Sequence, residues 1–192
     1  MADHPLETYL RDLAEARHPG VAETTHYTAL RALLNEIGGK LKPKVRCILH
    51  PKGLGAGLPD GGLFTPDQLR KTGGDEAPLD TPPSRGAIEA KPVADDAFEL
   101  AKSAQVKKYL DRYRQVLATN FRDFVLVDLD RDGRRRILES YRLAPDEDAF
   151  WEAAAHPRAA AEFEGKRLSC YFSTRDQLSG DASGQHKTTN VY

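Results

Sequence analysis

The sequence predicts a mixed α/β fold in which a central β-sheet is flanked by helices. Segments with apolar residues at helical spacing alternate with short apolar runs that are typical of strands. Breaks rich in glycine and proline separate these segments. Between the first and the last of them, the order is helix, strand, strand, strand, helix, strand, strand. Packing helices against a sheet buries the apolar surface of both, and this favours the layered arrangement.

Four segments are predicted to be helical because their apolar residues recur every three or four positions. They are Pro5 to Arg17, the segment "AETTHYTALRALLNEIGG", Phe98 to Asn120, and Pro145 to His156. Asp95 or Asp96 is expected to cap the third helix, which would run for about six turns.

Five segments are predicted to be strands because they are short, apolar and bounded by turn residues. They are Lys44 to His50, a short strand around Leu63 and Phe64, Arg85 to Val93, Asp123 to Leu129, and Arg134 to Ala144. The nearly continuous apolar run "DFVLVDL" indicates a strand covered on both faces. The segment from Thr65 to Ser84, rich in proline, glycine and acid, is predicted to be a long surface excursion.

Length and composition favour one domain over residues 1–178, with residues 179–192 as a polar tail or a linker to a further domain. The net charge of −1 means that any binding of nucleic acid would depend on local basic patches. Cys47 and Cys170 are far apart, which argues against a disulfide framework or a thiolate zinc site. With no apolar run long enough to span a bilayer, these features predict a soluble, cytoplasmic protein without membrane contact.

The stretch "RGAIEAKPV" places a carboxylate and an ammonium, those of Glu89 and Lys91, on one face of a predicted strand. Asp60 stands where a glycine-rich turn enters the preceding strand, so a hairpin would bring the three charged side chains together. Two carboxylates suit Mg²⁺, which keeps several waters and takes few ligands from the protein. Since a metal-bound water is a good nucleophile and a nearby lysine can orient it, such a site would hydrolyse a phosphodiester that is bound beside it.

These residues resemble the motif of the PD-(D/E)xK nucleases, with Pro59-Asp60 and Glu89-Ala90-Lys91 in the motif positions. Gln105 and Tyr109 match the Gln-x-x-x-Tyr pattern of the branch that includes RecB-like nucleases, and they share a helix face. Glu23 stands at the start of the second helix, where related nucleases often place one more acid near the metal.

The resemblance implies the αβββαβ restriction-endonuclease-like core and a Mg²⁺ ion, which Mn²⁺ can replace. Asp60, Glu89 and the backbone carbonyl of Ala90 would be metal ligands, and so would Glu23. Lys91 would orient or activate the water. Gln105 and Tyr109 would support Lys91 or contact the phosphate.

The sequence around the motifs is similar to that of the N-terminal Mrr-like nuclease domain of large restriction-modification enzymes. These enzymes are single polypeptides of the Type ISP kind. "GVAETTHYTALRALLNEIG" and "YRQVLATNFRDFVLVDLD" are two such stretches. The resemblance implies a bacterial endonuclease for phage defence that cuts double-stranded DNA. Helicase-like, methyltransferase and target-recognition domains would belong to the same larger polypeptide, and a second nuclease domain would complete a double-strand break.

Other interpretations stay open at the level of sequence. Glu89 and Lys91 also fit an exposed ion pair, Asp60 a turn residue, and Glu23 an acid that favours the helix dipole. A catalytically silent module that binds DNA or docks a partner is the alternative function. His26 and His50 are expected to lie on a helix surface and at a strand end, without a role in the chemistry.

One motif points to a different ion. "DLDRDGRRRILE", from Asp128 to Glu139, satisfies the calcium-loop pattern of an EF-hand. Its flanks are predicted strands rather than helices, and Arg135 occupies a position that is usually aliphatic. A β-hairpin turn at Asp132-Gly133 explains the glycine more simply.

Overall fold

A computed structural model describes residues 4–17, 24–50, 58–70 and 81–162. In these ranges the chain forms helices and the strands of a single sheet. The helices are α1 (Pro5–Ala16), α2 (Thr24–Gly38), α3 (Pro66–Leu69), α4 (Ala97–Lys102), α5 (Ala104–Tyr113) and α6 (Glu147–Ala155). The strands are β1 (Arg46–Leu49), β2 (Gly61–Phe64), β3 (Ala87–Ala90), β4 (Gln115–Thr119), β5 (Asp123–Leu129) and β6 (Arg135–Arg142).

The six strands form one mixed sheet in the order β1-β2-β3-β4-β5-β6. Only β3 and β4 run parallel, and the other neighbouring strands pair antiparallel. A parallel pair needs a crossover connection, which α4 and α5 supply between β3 and β4. The predicted mixed α/β fold with helices flanking a central sheet is confirmed.

Helices cover both faces of the sheet. On one face, α1, α2 and α6 pack over a core that includes Leu6, Leu30 and Phe124. On the other face, α4 and α5 pack over Val116 and Val125, among others. Because successive strand residues point to opposite faces, Ile88 belongs to the first core and its neighbour Glu89 faces α5.

The prediction of one long helix from Phe98 to Asn120 is wrong, because two shorter helices and a strand occupy this segment. The predicted helix is interrupted at Ser103, whose hydroxyl accepts a hydrogen bond from the Val106 N–H and so caps α5. Helix α5 then ends at Arg114, whose φ of 63° lies in the left-handed region. The next five residues form β4 instead of continuing the helix. The apolar residues of "QVLAT" also fit helical spacing, and burial within the sheet decides between the two periods.

The remaining predicted helices and strands are present, with bounds shifted by a few residues. Asp96 caps α4 by accepting hydrogen bonds from the Phe98 and Glu99 N–H groups, as predicted. The predicted surface excursion contains the short helix α3, and residues 71–80 lie outside the described residues. The predicted tail at 179–192 lies outside them too. Within the described ranges, no helix is both long and apolar enough to cross a membrane.

The outer edge of the sheet at β1 is closed by a side chain. The Asn35 amide, from α2, accepts a hydrogen bond of 2.8 Å from the Cys47 N–H and donates one of 3.4 Å to the Cys47 carbonyl. These are the two bonds that a further strand would make. An exposed strand edge invites pairing with other chains, and the amide occupies this one.

The calcium-loop sequence forms the predicted β-hairpin between β5 and β6. The Asp130 carboxylate accepts hydrogen bonds from the backbone N–H groups of Asp132 and Arg134, at 2.9 and 2.7 Å. Gly133 takes a positive φ of 74°, as a glycine in a tight turn readily does. The Asp130 side chain therefore serves the turn, and the described residues contain no cluster of three or more acidic, histidine or cysteine side chains around a metal position.

Candidate active site

The hairpin of β2 and β3 brings Asp60 beside Glu89. Gly61 pairs with Ile88 in the antiparallel register, so the residue before Gly61 lies opposite the residue after Ile88. The Asp60 Oδ2 accepts a hydrogen bond of 2.8 Å from the Ala90 N–H. This bond fixes the Asp60 carboxylate against the end of β3, as the sequence pattern predicts.

Glu89 is the buried member of the site. Its exposed fraction is 4%, and it lies in the interior of the sheet between β2 and β4. Burial raises the pKa of the Glu89 carboxyl above its ordinary value, and the nearby charge of Asp60 raises it further. Lys91 and a hydrogen bond with Gln105 act in the opposite direction. Carboxyl groups whose pKa values are shifted by burial and a nearby charge cluster at functional sites.

Lys91 lies one residue beyond the last residue of β3. Its Nζ is 3.4 Å from the Glu89 Oε1, and its side chain is half exposed. The Lys91 N–H donates a hydrogen bond of 2.9 Å to the Thr119 carbonyl, which anchors its backbone to the end of β4. The ammonium therefore reaches from a fixed backbone position towards both Glu89 and solvent.

Gln105 and Tyr109 lie on the face of α5 that covers the site. The Gln105 Nε2 donates a hydrogen bond of 2.7 Å to the Tyr109 hydroxyl. Burial raises the pKa of Tyr109 to about 12, with a further contribution from the charge of Glu89. At neutral pH the hydroxyl therefore stays protonated and available as a donor.

The structure thus brings together the predicted residues Asp60, Glu89, Ala90, Lys91, Gln105 and Tyr109. Glu23, the additional predicted metal ligand, lies outside the described residues, as does the glycine-rich segment 51–57. The role of Glu23 as a metal ligand therefore stays a prediction.

Sequence reasoning missed the turn that follows β4. Asn120 is fully buried, and its side-chain oxygen accepts hydrogen bonds from the N–H groups of Arg122 and Asp123. Its amide nitrogen donates to the Asp95 carbonyl, which ties this turn to the loop that follows Lys91. The cluster of Thr, Asn and Asp in "TNFRD" is a turn signal, but the helix predicted over residues 98–120 concealed it.

The donor set fits a magnesium ion. Asp60 and Glu89 supply two carboxylates, and Mg²⁺ usually takes one or two from a protein while keeping several waters. Since a residue's N–H and C=O point to the same side of an extended strand, the Ala90 carbonyl is directed towards Asp60, as its N–H is. A cation here would also offset the crowding of negative charge that raises the pKa of Glu89.

Comparison with known proteins gives a weak likeness to a solved structure. No protein-family model matches the chain, and no curated protein does. A cryo-EM structure of a DrdV–DNA complex resembles it with a TM-score of 0.48 and 17% sequence identity. The likeness covers 88% of this chain and 13% of that chain, so this chain spans a small part of the length of that protein.

Proposed function

We propose that this chain is a magnesium-dependent DNA endonuclease domain with a PD-(D/E)xK core. The observation that carries the proposal is the hydrogen bond between the Asp60 carboxylate and the Ala90 N–H. It places an acid from one strand beside the Glu89-Ala90-Lys91 triplet of the next. Gln105 and Tyr109 complete the same pattern from α5.

Each side chain has a distinct part in the proposed reaction. Asp60, Glu89 and the Ala90 carbonyl would hold Mg²⁺ or Mn²⁺, and Glu23 would be a further ligand. When bound, the ion supplies an activated water and neutralises charge that develops on the phosphate. Lys91 orients the attacking water by donating a hydrogen bond to it and stabilises the negative charge nearby. Gln105, which hydrogen-bonds with Glu89, and Tyr109 would support Lys91 or contact the phosphate.

The proposed setting is a larger restriction-modification enzyme of the bacterial cytoplasm that acts in phage defence. Double-stranded DNA is the substrate. Helicase-like, methyltransferase and target-recognition domains of the same polypeptide would deliver it. One such site nicks one strand, so a double-strand break requires a second nuclease domain or repeated nicking.

Plasmid nicking in Mg²⁺ or Mn²⁺, with calorimetry of metal binding on the same samples, tests the proposal. Asp60→Asn keeps an acceptor for the Ala90 N–H while removing the charge, so both nicking and metal binding should be lost. Asp67→Asn is the matched control, because Asp67 also follows a proline but forms an exposed ion pair with Arg70. Nicking that survives in Asp60→Asn would refute the site. DNA binding without nicking by the wild type would favour the silent docking module.

A further inference from the structure

His50 lies directly across from Asp60 at the end of the sheet. Leu49 pairs with Gly61 in the antiparallel register of β1 and β2, and the next residues outward on the two strands are His50 and Asp60. The His50 N–H donates a hydrogen bond of 2.9 Å to the Asp60 carbonyl. The backbone of His50 is therefore fixed to the backbone of a candidate metal ligand.

The backbone of His50 adopts a conformation that side chains disfavour. Its φ is 45°, in the left-handed region where glycine is the default residue. Histidine is better tolerated there than a β-branched residue, yet it still carries strain that glycine would not. Strain of this kind persists where the surrounding structure enforces it, and it concentrates at functional sites.

The imidazole is supported on one side and open on the other. Its ring centroid lies 5.6 Å from that of Tyr27, and the Tyr27 ring packs edge-on against Phe121 at 5.7 Å. His50 nevertheless remains exposed, so a ligand can approach this residue from solvent. A residue needed only for packing would be apolar and covered, and one needed only for the turn would be glycine or asparagine.

The surrounding charges indicate what such a ligand would be. Asp60 and Glu89 repel an anionic substrate, so donors must surround the phosphates that approach them. Lys91 supplies a donor on the side of α5. Tyr27 belongs to α2, and the ring contact with Tyr27 therefore places the His50 imidazole on the α2 side of the site.

We propose that His50 is a substrate-binding residue that donates a hydrogen bond to a DNA phosphate adjacent to the one cleaved at Asp60 and Glu89. This inference rests on the proposed nuclease function and adds a contact on the side opposite Lys91. A phosphate contact of this kind positions the duplex without reading its sequence.

The test measures affinity and stability separately. Binding of a short fluorescent DNA duplex is followed by anisotropy in EDTA, where hydrolysis cannot contribute, and the melting temperature is recorded for each variant. His50→Gly should bind about 5- to 10-fold more weakly, as expected for loss of one phosphate contact, without a lower melting temperature, because glycine relieves the strain. His50→Asn, which tolerates the same φ and keeps a donor, should recover part of the affinity. His156→Ala is the matched control, since His156 is an exposed histidine of the α6 end that pairs with Glu152.

Three results would overturn the inference. The first is that His50→Gly binds DNA as tightly as the wild type does. The second is that its affinity and its melting temperature fall together, which would assign the ring to packing. The third is that the wild type does not bind the duplex at all. Mg²⁺-dependent nicking by the wild type is scored independently, so the proposed nuclease function can hold while this contact is refuted.

Discussion

The Asp60 carboxylate and the Ala90 N–H are joined by a hydrogen bond of 2.8 Å between neighbouring strands. The bond occupies one lone pair of Oδ2, and among the described residues no other hydrogen bond to this carboxylate is formed. It also fixes the carboxylate to the strand that carries Glu89. The two acids are thus positioned by the sheet itself before any ion or substrate is bound.

Replacement of Lys91 by methionine should slow nicking strongly while leaving the fold intact. The side chain is half exposed, so the loss of its 3.4 Å contact with Glu89 costs little stability. Removal of a charged group that stabilises a transition state typically lowers the rate by about 10²- to 10³-fold. Plasmid nicking measures the rate, and Lys102→Met is the control, since Lys102 forms an exposed pair with Glu99. Nicking at the wild-type rate in Lys91→Met would exclude Lys91 from the chemistry.

Glu89→Gln should stabilise the metal-free protein at neutral pH. The pKa of Glu89 is raised in the folded state, chiefly by burial, so folding disfavours the ionised carboxylate. The contribution of this group to stability is full below its unfolded pKa of about 4.3 and is lost as the pH rises through the raised folded value. A neutral isostere removes that loss, and a gain on the order of 1 kcal/mol is typical for such sites.

Urea denaturation in EDTA at several pH values measures this effect. The difference between Glu89→Gln and the wild type should grow as the pH rises from 4 towards neutrality and then level off. A variant less stable than the wild type at neutral pH would show that the contact with Lys91 outweighs the burial of the charge.

Asn35→Ala should destabilise the protein by about 1–3 kcal/mol, because it leaves the Cys47 N–H and carbonyl without the amide that bonds to both. Asn35→Asp keeps the acceptor for the shorter bond and should be milder. Chemical denaturation measures the loss, and light scattering should show more self-association once the edge of β1 is open. Equal stability of Asn35→Ala and the wild type would mean that the edge needs no cap.

Cys47 should not react with a thiol dye in the folded protein. It is 1% exposed, and burial raises its pKa to about 12, so both access and the thiolate fraction are minimal at neutral pH. In a Cys170→Ser background, where Cys47 is the only thiol, labelling should follow the rate of unfolding and speed up in urea. Rapid labelling under native conditions would contradict the position of Cys47 in the core.

The sequence predicted most of the fold because burial leaves a periodic pattern, and it failed where two periods coincide. Val116 and Leu117 lie in a segment whose apolar residues fit either a helix or a strand. What separates α5 from β4 is the left-handed Arg114, and arginine gives no such signal. Only the position of this segment in the middle of the sheet decides the outcome, and that is a tertiary property.

In the candidate site, too, some residues were predicted from the sequence and one was not. Asp60, Glu89 and Lys91 were predictable because each sits at a recognisable place in a hairpin. His50 was predicted to be a strand-end residue without a role. Its place opposite Asp60 depends on the register of β1 and β2, which local sequence does not reveal.

The parallel pairing of β3 with β4 ties the site to a late part of the chain. Glu89 pairs with Ala118, and the Lys91 N–H bonds to the Thr119 carbonyl. During synthesis, the two carboxylates and the lysine leave the ribosome well before these partners do. Until β4 joins the sheet, Glu89 has no neighbour on one side and Lys91 has no anchor. A half-made chain therefore carries the chemical groups without their arrangement, so the proposed nuclease activity would arise only once β4 has joined the sheet.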